Sequence, residues 1–324
     1  MKMRDTTPTH VISQCIGSGK TLPSCSVIVC TRNRPEQLKQ CLQGIRQLCY
    51  PDVDVIVVDN ASDNDAAKPI ADAWSAQYIR EPVIGLSRSR NRGARYSEAE
   101  IVAFIDDDAV PNTDWLCNLI EEFSDPKVMA VTGLITPTNP SYAGIEQYFR
   151  VRQQRLEFDS STDDWFAQAN FGGIGDGANM AFRRTVFDSW SGFNERLGLG
   201  AAVCGGEEHN AFFELIKRGH RVVFTPRSVV QHPFPETSDD ARKWSFRCIE
   251  AGGGYMARLF FEEPDYRRHL LSFVRKALTR RIRTRRNPLL TRWQELKAFV
   301  SGFRLYWHYR QNAQLKEKRW NKSC

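Results

Sequence analysis

The sequence predicts an α/β fold in which parallel strands are flanked by helices and a helical extension follows the sheet. Three features of the pattern support this fold class. Short apolar runs alternate with amphipathic stretches in the first third of the chain, which is typical of strands joined by crossover helices. Polar residues follow several of these runs directly, as they do where ligands bind beyond strand ends. The last third instead combines helical periodicity with many arginines and aromatic residues.

Length and composition limit the classes of protein to consider. A chain of 324 residues can hold one large domain and an appended segment, and 41% hydrophobic with 26% charged residues is ordinary for a globular protein. No apolar run is long enough to span a membrane, and residues 1–15 lack the apolar core of a secretory signal. The nine cysteines have no metal-ligand spacing. We therefore expect a reduced, cytoplasmic protein.

The expected division is an N-terminal tail at 1–23, an α/β domain at 24–238 and a basic helical extension at 239–324. Within the tail, residues 17–21 imitate the end of a phosphate-binding P-loop. However, Gln14 stands where that pattern requires glycine, and Pro23 follows where it requires a helix. We therefore reject a P-loop.

The first half of the α/β domain predicts four strands whose ends carry polar residues. The predicted elements are strand 25–30, helix 37–48, strand 53–58, helix 66–76, strand 78–80, a helix that begins within 85–94, and strand 101–105. Strands and helices in this order form a parallel sheet with right-handed crossovers. We therefore expect Thr31, Arg34, Asp59 and Asp106 to meet at one edge of the sheet.

Three consecutive aspartates, Asp106, Asp107 and Asp108, end the fourth predicted strand. Adjacent carboxylates repel one another unless a cation offsets their charge. Because side chains alternate along a strand, Asp106 and Asp108 point to one side and Asp107 to the other. Two carboxylates on one side suit Mg²⁺ or Mn²⁺. A solvated acidic turn is the alternative, but it fits poorly after a fully apolar run.

The second half of the domain contains two further candidate segments. The predicted elements are helix 114–123, strand 128–132, an aromatic-rich stretch at 139–170, a glycine-rich stretch at 171–183, helix 209–218, and strands 222–225 and 229–233. The glycines predict close backbone approach to a ligand, although a plain glycine loop remains an alternative. Glu207 and Glu208 follow two glycines at the helix N-terminus, where the helix dipole alone would favour acids.

The extension carries nine Lys or Arg and no acid between Arg267 and Arg286, interleaved with apolar residues. A solvated helix surface is the ordinary interpretation, and peripheral contact with an anionic membrane, at its inner face, is the sharper one. No nucleic-acid-binding motif accompanies the stretch, so we expect no nucleic-acid partner. A further helix at 289–311 has an aromatic stripe, which we expect to pack on the domain or on a second subunit.

Several segments occur in a specific order although each alone is common. They are 27–35, 57–62, 85–93, 104–108, 177–183, 206–208 and 226–232. Together they resemble the family 2 glycosyltransferases, whose GT-A fold is a Rossmann-like, nucleotide-sugar-binding mixed sheet flanked by helices. The resemblance covers about residues 24–235. One departure is Glu208, which stands where the family usually has aspartate.

The resemblance implies a metal-dependent, inverting transfer of a sugar from a nucleoside diphosphate sugar to an acceptor hydroxyl, in polysaccharide, glycolipid or other glycoconjugate synthesis. The implied base is Glu208, with Glu207 as second choice. The implied nucleotide-sugar contacts are Thr31, Arg34, Asp59, Arg90, Asn91, Asp106 and Asp107. The implied ligands of Mn²⁺ or Mg²⁺ are Asp106, Asp108 and His232. The sugar and acceptor pocket would include Gly177, Ala178 and Asn179, with Trp165 as a stacking surface.

Two alternatives remain at the sequence level. A catalytically inactive domain of the same fold would bind a nucleotide sugar or serve assembly without turnover. A sugar-phosphate nucleotidyltransferase would carry a glycine-rich loop after its first strand, whereas residues 31–35 contain no glycine. The donor base, the sugar and the acceptor do not follow from these motifs.

Overall fold

The computed structural model of the protein describes residues 22–138, 153–283 and 289–320. The strands in these ranges are β1 (Cys25–Thr31), β2 (Val53–Asn60), β3 (Gln77–Glu81), β4 (Ile101–Asp106), β5 (Val110–Pro111), β6 (Val128–Pro137), β7 (Leu156–Phe158), β8 (Asn179–Arg183) and β9 (Arg221–His232). The predicted tail up to residue 21, with its P-loop imitation, and residues 139–152 lie outside the described ranges.

Ten helices accompany these strands in the described part of the chain. They are α1 (Pro35–Ile45), α2 (Ala67–Ala73), α3 (Leu86–Tyr96), α4 (Trp115–Glu122), α5 (Trp165–Asn170), α6 (Val186–Ser189), α7 (Glu207–Lys217), α8 (Ser238–Glu262), α9 (Arg267–Arg283) and α10 (Arg292–Trp320). A 3-10 turn at Pro264–Tyr266 joins α8 to α9. No helix among the described residues combines the length and the apolar character needed to cross a membrane.

The strands form one mixed sheet in the order β3-β2-β1-β4-β8-β6-β9-β5, with β7 paired to β9. The strands β3, β2, β1 and β4 run parallel to one another, as predicted from the alternation of strands and helices. Strand β8 is antiparallel to both β4 and β6. The register sets Thr31 opposite Asp59 and Cys30 opposite Asp106. The predicted fold class is thus confirmed, and three polar strand ends lie side by side.

The central strands β1 and β4 are buried on both faces, which explains why they are apolar at most positions rather than at alternate ones. On β1, Ile28 belongs to one hydrophobic cluster, whereas Val27 and Val29 belong to the cluster on the opposite face. The first cluster also contains Tyr255 of α8 and Tyr306 of α10. The C-terminal helices therefore complete the core of the sheet domain.

The structure adds detail to two predictions on the C-terminal region. Part of the apolar side of α9 packs on the protein: Leu270 is buried, and the ring of Phe273 stacks on Phe171 at 3.8 Å. Leu271 of the same helix is 58% exposed, and contact of the basic stretch with an anionic membrane stays a prediction. The aromatic helix packs on the domain through only one of its faces, which carries the buried residues Ala298 and Tyr306.

Candidate active site

The end of β1 is tied to the aspartate loop after β4. The Thr31 hydroxyl donates a hydrogen bond of 2.7 Å to Asp107, and the Arg34 guanidinium lies 3.2 Å from Asp107 and 2.8 Å from Asp108. Asp107 is buried, which raises its pKa to about 6 even though Thr31 and Arg34 both act to lower it. Asp107 therefore holds the β1 loop against the aspartate loop, which leaves Asp106 and Asp108 to face outward.

Asp106, Asp108 and His232 form a cluster of potential metal ligands. One ligand atom from each lies within 4.8 Å of the others, and His232 Nε2 is 3.2 Å from Asp108 Oδ1. His232 Nδ1 donates a hydrogen bond of 2.7 Å to the Pro233 carbonyl, so Nε2 is the nitrogen that faces the carboxylates. Burial lowers the pKa of His232, but the bond to Asp108 and both acidic charges outweigh this and raise it.

Arg90 of α3 connects the aspartate loop to the second half of the chain. Its guanidinium lies 3.2 Å from Asp106, 2.8 Å from Glu207 and 3.2 Å from the Gly177 carbonyl, and its side chain is only 3% exposed. A buried guanidinium needs such partners because an unpaired charge in the interior is very costly. A single side chain thus joins β4, α7 and the glycine-rich segment.

Two acidic residues begin α7, two positions earlier than the sequence suggested. The preceding Gly206 adopts φ +83°, and a Cβ there would lie 3.1 Å from the Tyr255 ring, so glycine is required for this entry into the helix. Glu207 is paired with Arg90. Burial raises the pKa of Glu208 well above its usual range, and the neighbouring carboxylate of Glu207 raises it further. One oxygen of Glu208 is buried without a hydrogen-bond partner.

Asp59 is fully buried at the end of β2 and is held by three neighbours. It accepts hydrogen bonds from the Ser62 amide at 2.8 Å and the Tyr78 hydroxyl at 2.9 Å, and Arg80 lies 3.6 Å away. Sequence reasoning did not single out Tyr78 or Arg80 for the site. Their position in the third parallel strand was the available signal, because its carboxyl end lies at the same edge.

Three predicted site residues have structural surroundings that differ from the expectation. Asn91 is buried and bonds through its side chain to the backbone of Phe193. Asn179 is fully buried, where it accepts from the Trp115 indole and donates to the Leu134 and Ser228 carbonyls. The half-buried Trp165 ring stacks on Phe213 of α7 and meets Tyr266 edge-on, so it packs against the hydrophobic core.

Of the glycine-rich segment, Gly177 is the residue that reaches the centre of the site. A Cβ at Gly177 would lie 2.8 Å from the Arg90 guanidinium, so any side chain there would displace Arg90. The adjacent Ala178 is 5% exposed. The predicted close backbone approach therefore occurs at Gly177, where the backbone meets a side chain of the protein itself.

Comparison with known proteins agrees with this arrangement. The family model of Glycosyl transferase family 2 matches residues 26–190, just over half of the chain. Glycosyltransferase AglE of Haloferax volcanii is 34% identical over 129 residues, which are 37% of this chain and 42% of that protein. The glucosyl-dolichyl phosphate glucuronosyltransferase of the same organism is 23% identical over 240 residues, which are 70% of this chain and 74% of that protein.

A solved structure with the same fold is the mannosyltransferase PcManGT from Pyrobaculum calidifontis, in complex with GDP-Man and Mn²⁺. It superimposes with a TM-score of 0.58 at 22% identity, covering 74% of this chain and 65% of that chain. At this identity the likeness establishes the fold. The matched family model, the strand order and the GT-A neighbour together lead to one conclusion: the chain belongs to glycosyl transferase family 2.

Proposed function

We propose that the protein is a metal-dependent, inverting glycosyltransferase that moves a sugar from a nucleoside diphosphate sugar to an acceptor hydroxyl in glycoconjugate or polysaccharide synthesis. The observation that carries the proposal is the ion-pair chain Asp106–Arg90–Glu207, with Asp108 and His232 at one end and Glu208 at the other. These ion pairs link a cluster of cation-type ligands to the adjacent acids Glu207, which is buried, and Glu208, which is half-buried.

The cluster of Asp106, Asp108 and His232 fits a divalent cation by its ligand chemistry. Two carboxylates and one imidazole suit Mn²⁺, and the carboxylates also suit Mg²⁺. A cation bound there would neutralise the negative charge that develops on the departing diphosphate. Arg34 lies beside the same cluster and would add a second positive charge facing the donor phosphates.

Glu208 is the better candidate for the base that removes the acceptor proton. Glu207 is committed to Arg90, so its charge is already offset inside the protein. Each of the two acids has one buried oxygen without a hydrogen-bond partner among the described residues, but Glu208 has no ion pair of its own there and a raised pKa, and a raised pKa makes a carboxylate a stronger base. Inversion requires this base to lie on the opposite side of the anomeric carbon from the diphosphate.

The donor nucleotide is proposed to lie over the ends of β1, β2 and β4. Asp59 would support the base-binding surface from beneath, since its fully buried carboxylate already accepts hydrogen bonds from Ser62 and Tyr78. Thr31 and Asp107 would support the loops beneath the phosphates rather than contact them, because their polar atoms bond to each other. The donor base, the sugar and the acceptor would be selected by contacts outside these motifs.

One set of measurements can test both donor binding and metal dependence, with a substitution of an exposed acid as the control. Nucleoside diphosphate sugars should raise the apparent melting temperature in the presence of Mn²⁺, since a ligand that binds only the folded state stabilises it. Asp108→Asn should abolish the Mn²⁺-dependent part of this shift and the release of nucleoside diphosphate.

Asp52→Asn is the matched control. Asp52 is exposed and adopts φ +52°, a conformation that asparagine also tolerates, so this variant should behave as wild type. Full turnover by Asp108→Asn, or by the wild type in excess chelator, would contradict the metal role. Donor binding without any turnover would favour the inactive binding module instead.

A further inference from the structure

Helix α10 presents an apolar stripe on the side opposite to the face that packs on the domain. Its packed face contains Ala298, Gly302 and Tyr306, all of which are buried. On the other side, Trp293 is 72% exposed and Leu296 is 53% exposed. These two residues are three positions apart and therefore lie on the same helix face.

The stripe is unusual for this protein because exposed apolar side chains are concentrated on α10. Among the described residues, ten large apolar side chains are exposed, and five of them belong to α10. Leu305 and Tyr309 lie three positions after Gly302 and Tyr306, so they flank the packed face. The Trp307 ring lies 5.1 Å from that of Phe261 of α8. Trp293 and Leu296 are the two that lie on the opposite side without a ring partner among the described residues. Single exposed apolar residues are normal, whereas neighbouring ones on one helix face indicate an interaction surface.

Basic residues occupy the same side of the helix. Lys297 follows Trp293 by four positions, and Arg304 follows Val300 by four, so both cations lie along the stripe. Both are exposed. The preceding helix α9 carries the further exposed cations Arg268 and Arg275. The stripe therefore combines tryptophan with the positive charge of Lys297 and Arg304.

This combination selects one occupant over another. Two copies of the chain that met through the stripe would bring Lys297 and Arg304 against each other's positive charge, because a two-fold contact pairs identical surfaces. An anionic bilayer satisfies both parts, since tryptophan favours the headgroup region and cations are attracted to acidic lipids. We propose that the exposed stripe of α10, together with the cations of α9, binds the surface of an anionic lipid bilayer.

The proposal assigns the apolar anchors to a different helix from the one that the sequence suggested. Leu270 and Phe273 of α9 pack on the protein, so α9 would contribute mainly charge. The aromatic helix, which was expected to pack on the domain or on a second subunit, would supply the apolar anchors. Binding to lipid by this surface requires neither a nucleotide sugar nor turnover, so it stands apart from the proposed catalytic function.

The experiment is co-sedimentation of the full chain with vesicles of phosphatidylcholine, with and without phosphatidylglycerol. The wild type should bind the anionic vesicles and leave the neutral ones largely unbound, with binding that weakens as salt increases. Trp293→Gln combined with Leu296→Gln should reduce partition to anionic vesicles by about tenfold or more. Glutamine maintains helix propensity, so α10 should persist.

Matched controls come from α3, which carries an exposed tyrosine and an exposed arginine away from the stripe. Tyr96→Gln should leave vesicle binding unchanged, as should Arg95→Glu. Lys297→Glu combined with Arg304→Glu should lower anionic binding by more than about tenfold and weaken its salt dependence, since the cations of α9 remain. Circular dichroism of each variant establishes that the fold is retained.

Two results would overturn the proposal. The first is unchanged binding of anionic vesicles by both double variants. The second is a wild type that does not bind vesicles and elutes as a dimer, while the Trp293→Gln/Leu296→Gln variant elutes as a monomer. That result would identify a second copy of the chain as the partner that covers the stripe. Donor-induced thermal stabilisation should be the same in wild type and variants, so failure here is distinguishable from failure of the proposed function.

Discussion

At the scale of single residues, the site depends on one buried guanidinium. Arg90 is placed between Asp106 and Glu207, and the three charges are stable in the interior only as a set. Removing one member of a buried ion pair leaves the other without compensation, which is far more costly than losing a pair at the surface. We therefore expect Arg90 to be required for the fold as well as for the proposed chemistry.

We expect Arg90→Ala to lower the free energy of unfolding by about 3–5 kcal/mol, measured by urea denaturation. Arg88→Ala is the comparison on the same helix. Arg88 pairs with Glu195 at the surface, where the Arg88 side chain is 40% exposed and the Glu195 side chain is 34% exposed. That surface pair should cost only about 0–1 kcal/mol. Equal losses in the two variants would show that burial of Arg90 is not what makes it important.

Glu208 carries a second prediction at the residue scale. Glu208→Gln should reduce sugar transfer by about 10²–10⁴-fold while donor binding persists, since only proton removal is lost. In the wild type, transfer should fall as pH decreases through the raised pKa of Glu208, because the base becomes protonated. Transfer at the wild-type rate by Glu208→Gln would place the base elsewhere.

The same raised pKa has a consequence for stability whose sign is opposite to that of an ordinary acid. A carboxyl group with a higher pKa in the folded chain contributes stability below its unfolded pKa, and this is lost as pH rises through the folded pKa. Glu208→Gln should therefore stabilise the protein more at about pH 8 than at about pH 5. Chemical denaturation at both values measures this, and a pH-independent difference would contradict the shift.

At the scale of elements, two glycines determine how closely α8 and α10 approach. A Cβ at Gly302 would lie 1.7 Å from the Glu250 carbonyl, and one at Gly253 would lie 2.2 Å from the Phe299 carbonyl. Both contacts are with backbone, which cannot move aside as a flexible side chain can. The helix pair therefore packs backbone against backbone at this crossing.

We expect Gly302→Ala to lower the free energy of unfolding by about 1–3 kcal/mol, because the helices must separate or bend. Gly252→Ala is the internal control: Gly252 also lies in α8, but a Cβ there meets nothing within 4 Å. Alanine should stabilise the helix at Gly252 by about 0.5–1 kcal/mol. Thermal unfolding of the two variants should thus give shifts of opposite direction.

At the scale of the whole molecule, the C-terminal helices belong to the core that supports the site. Tyr255 contacts the turn at Gly206 and bonds to Asn170, while Tyr306 bonds to Glu262, which pairs with Arg196. Leu270 of α9 is buried in the same cluster as the residues of α7. The boundary expected near residue 238 therefore marks a change in sequence character, but the segments on its two sides pack into one hydrophobic core.

Ending the chain after residue 238 should expose this apolar surface and prevent cooperative folding, which thermal unfolding and size-exclusion chromatography would show as loss of the transition and aggregation. Ending it after residue 312 retains the buried residues of α10 up to Tyr306 and should preserve the transition. A well-folded 1–238 fragment would establish the sheet domain as independent.

Much of the fold could be predicted because it depends on local pattern. The strands β1, β2 and β4 are continuous apolar runs that end in polar residues, and crossover helices between them require a parallel arrangement. The parallel arrangement in turn predicted that Thr31, Asp59 and Asp106 meet at one edge of the sheet. The single strand β9 was not predicted, since Pro226 and Arg227 interrupt its apolar pattern while pairing with β6 continues across a register shift.

What the sequence determined by itself was the family's order of motifs, the parallel half of the sheet and the identity of the acids at its edge. Only the tertiary structure decided how these acids divide their roles. Asp107 is directed inward to Thr31, Glu207 is neutralised by Arg90, and Trp165 is packed against the hydrophobic core. The reason is physical: strand and helix patterns follow from neighbours in the chain, whereas charge pairing and burial depend on contacts between residues more than 70 positions apart.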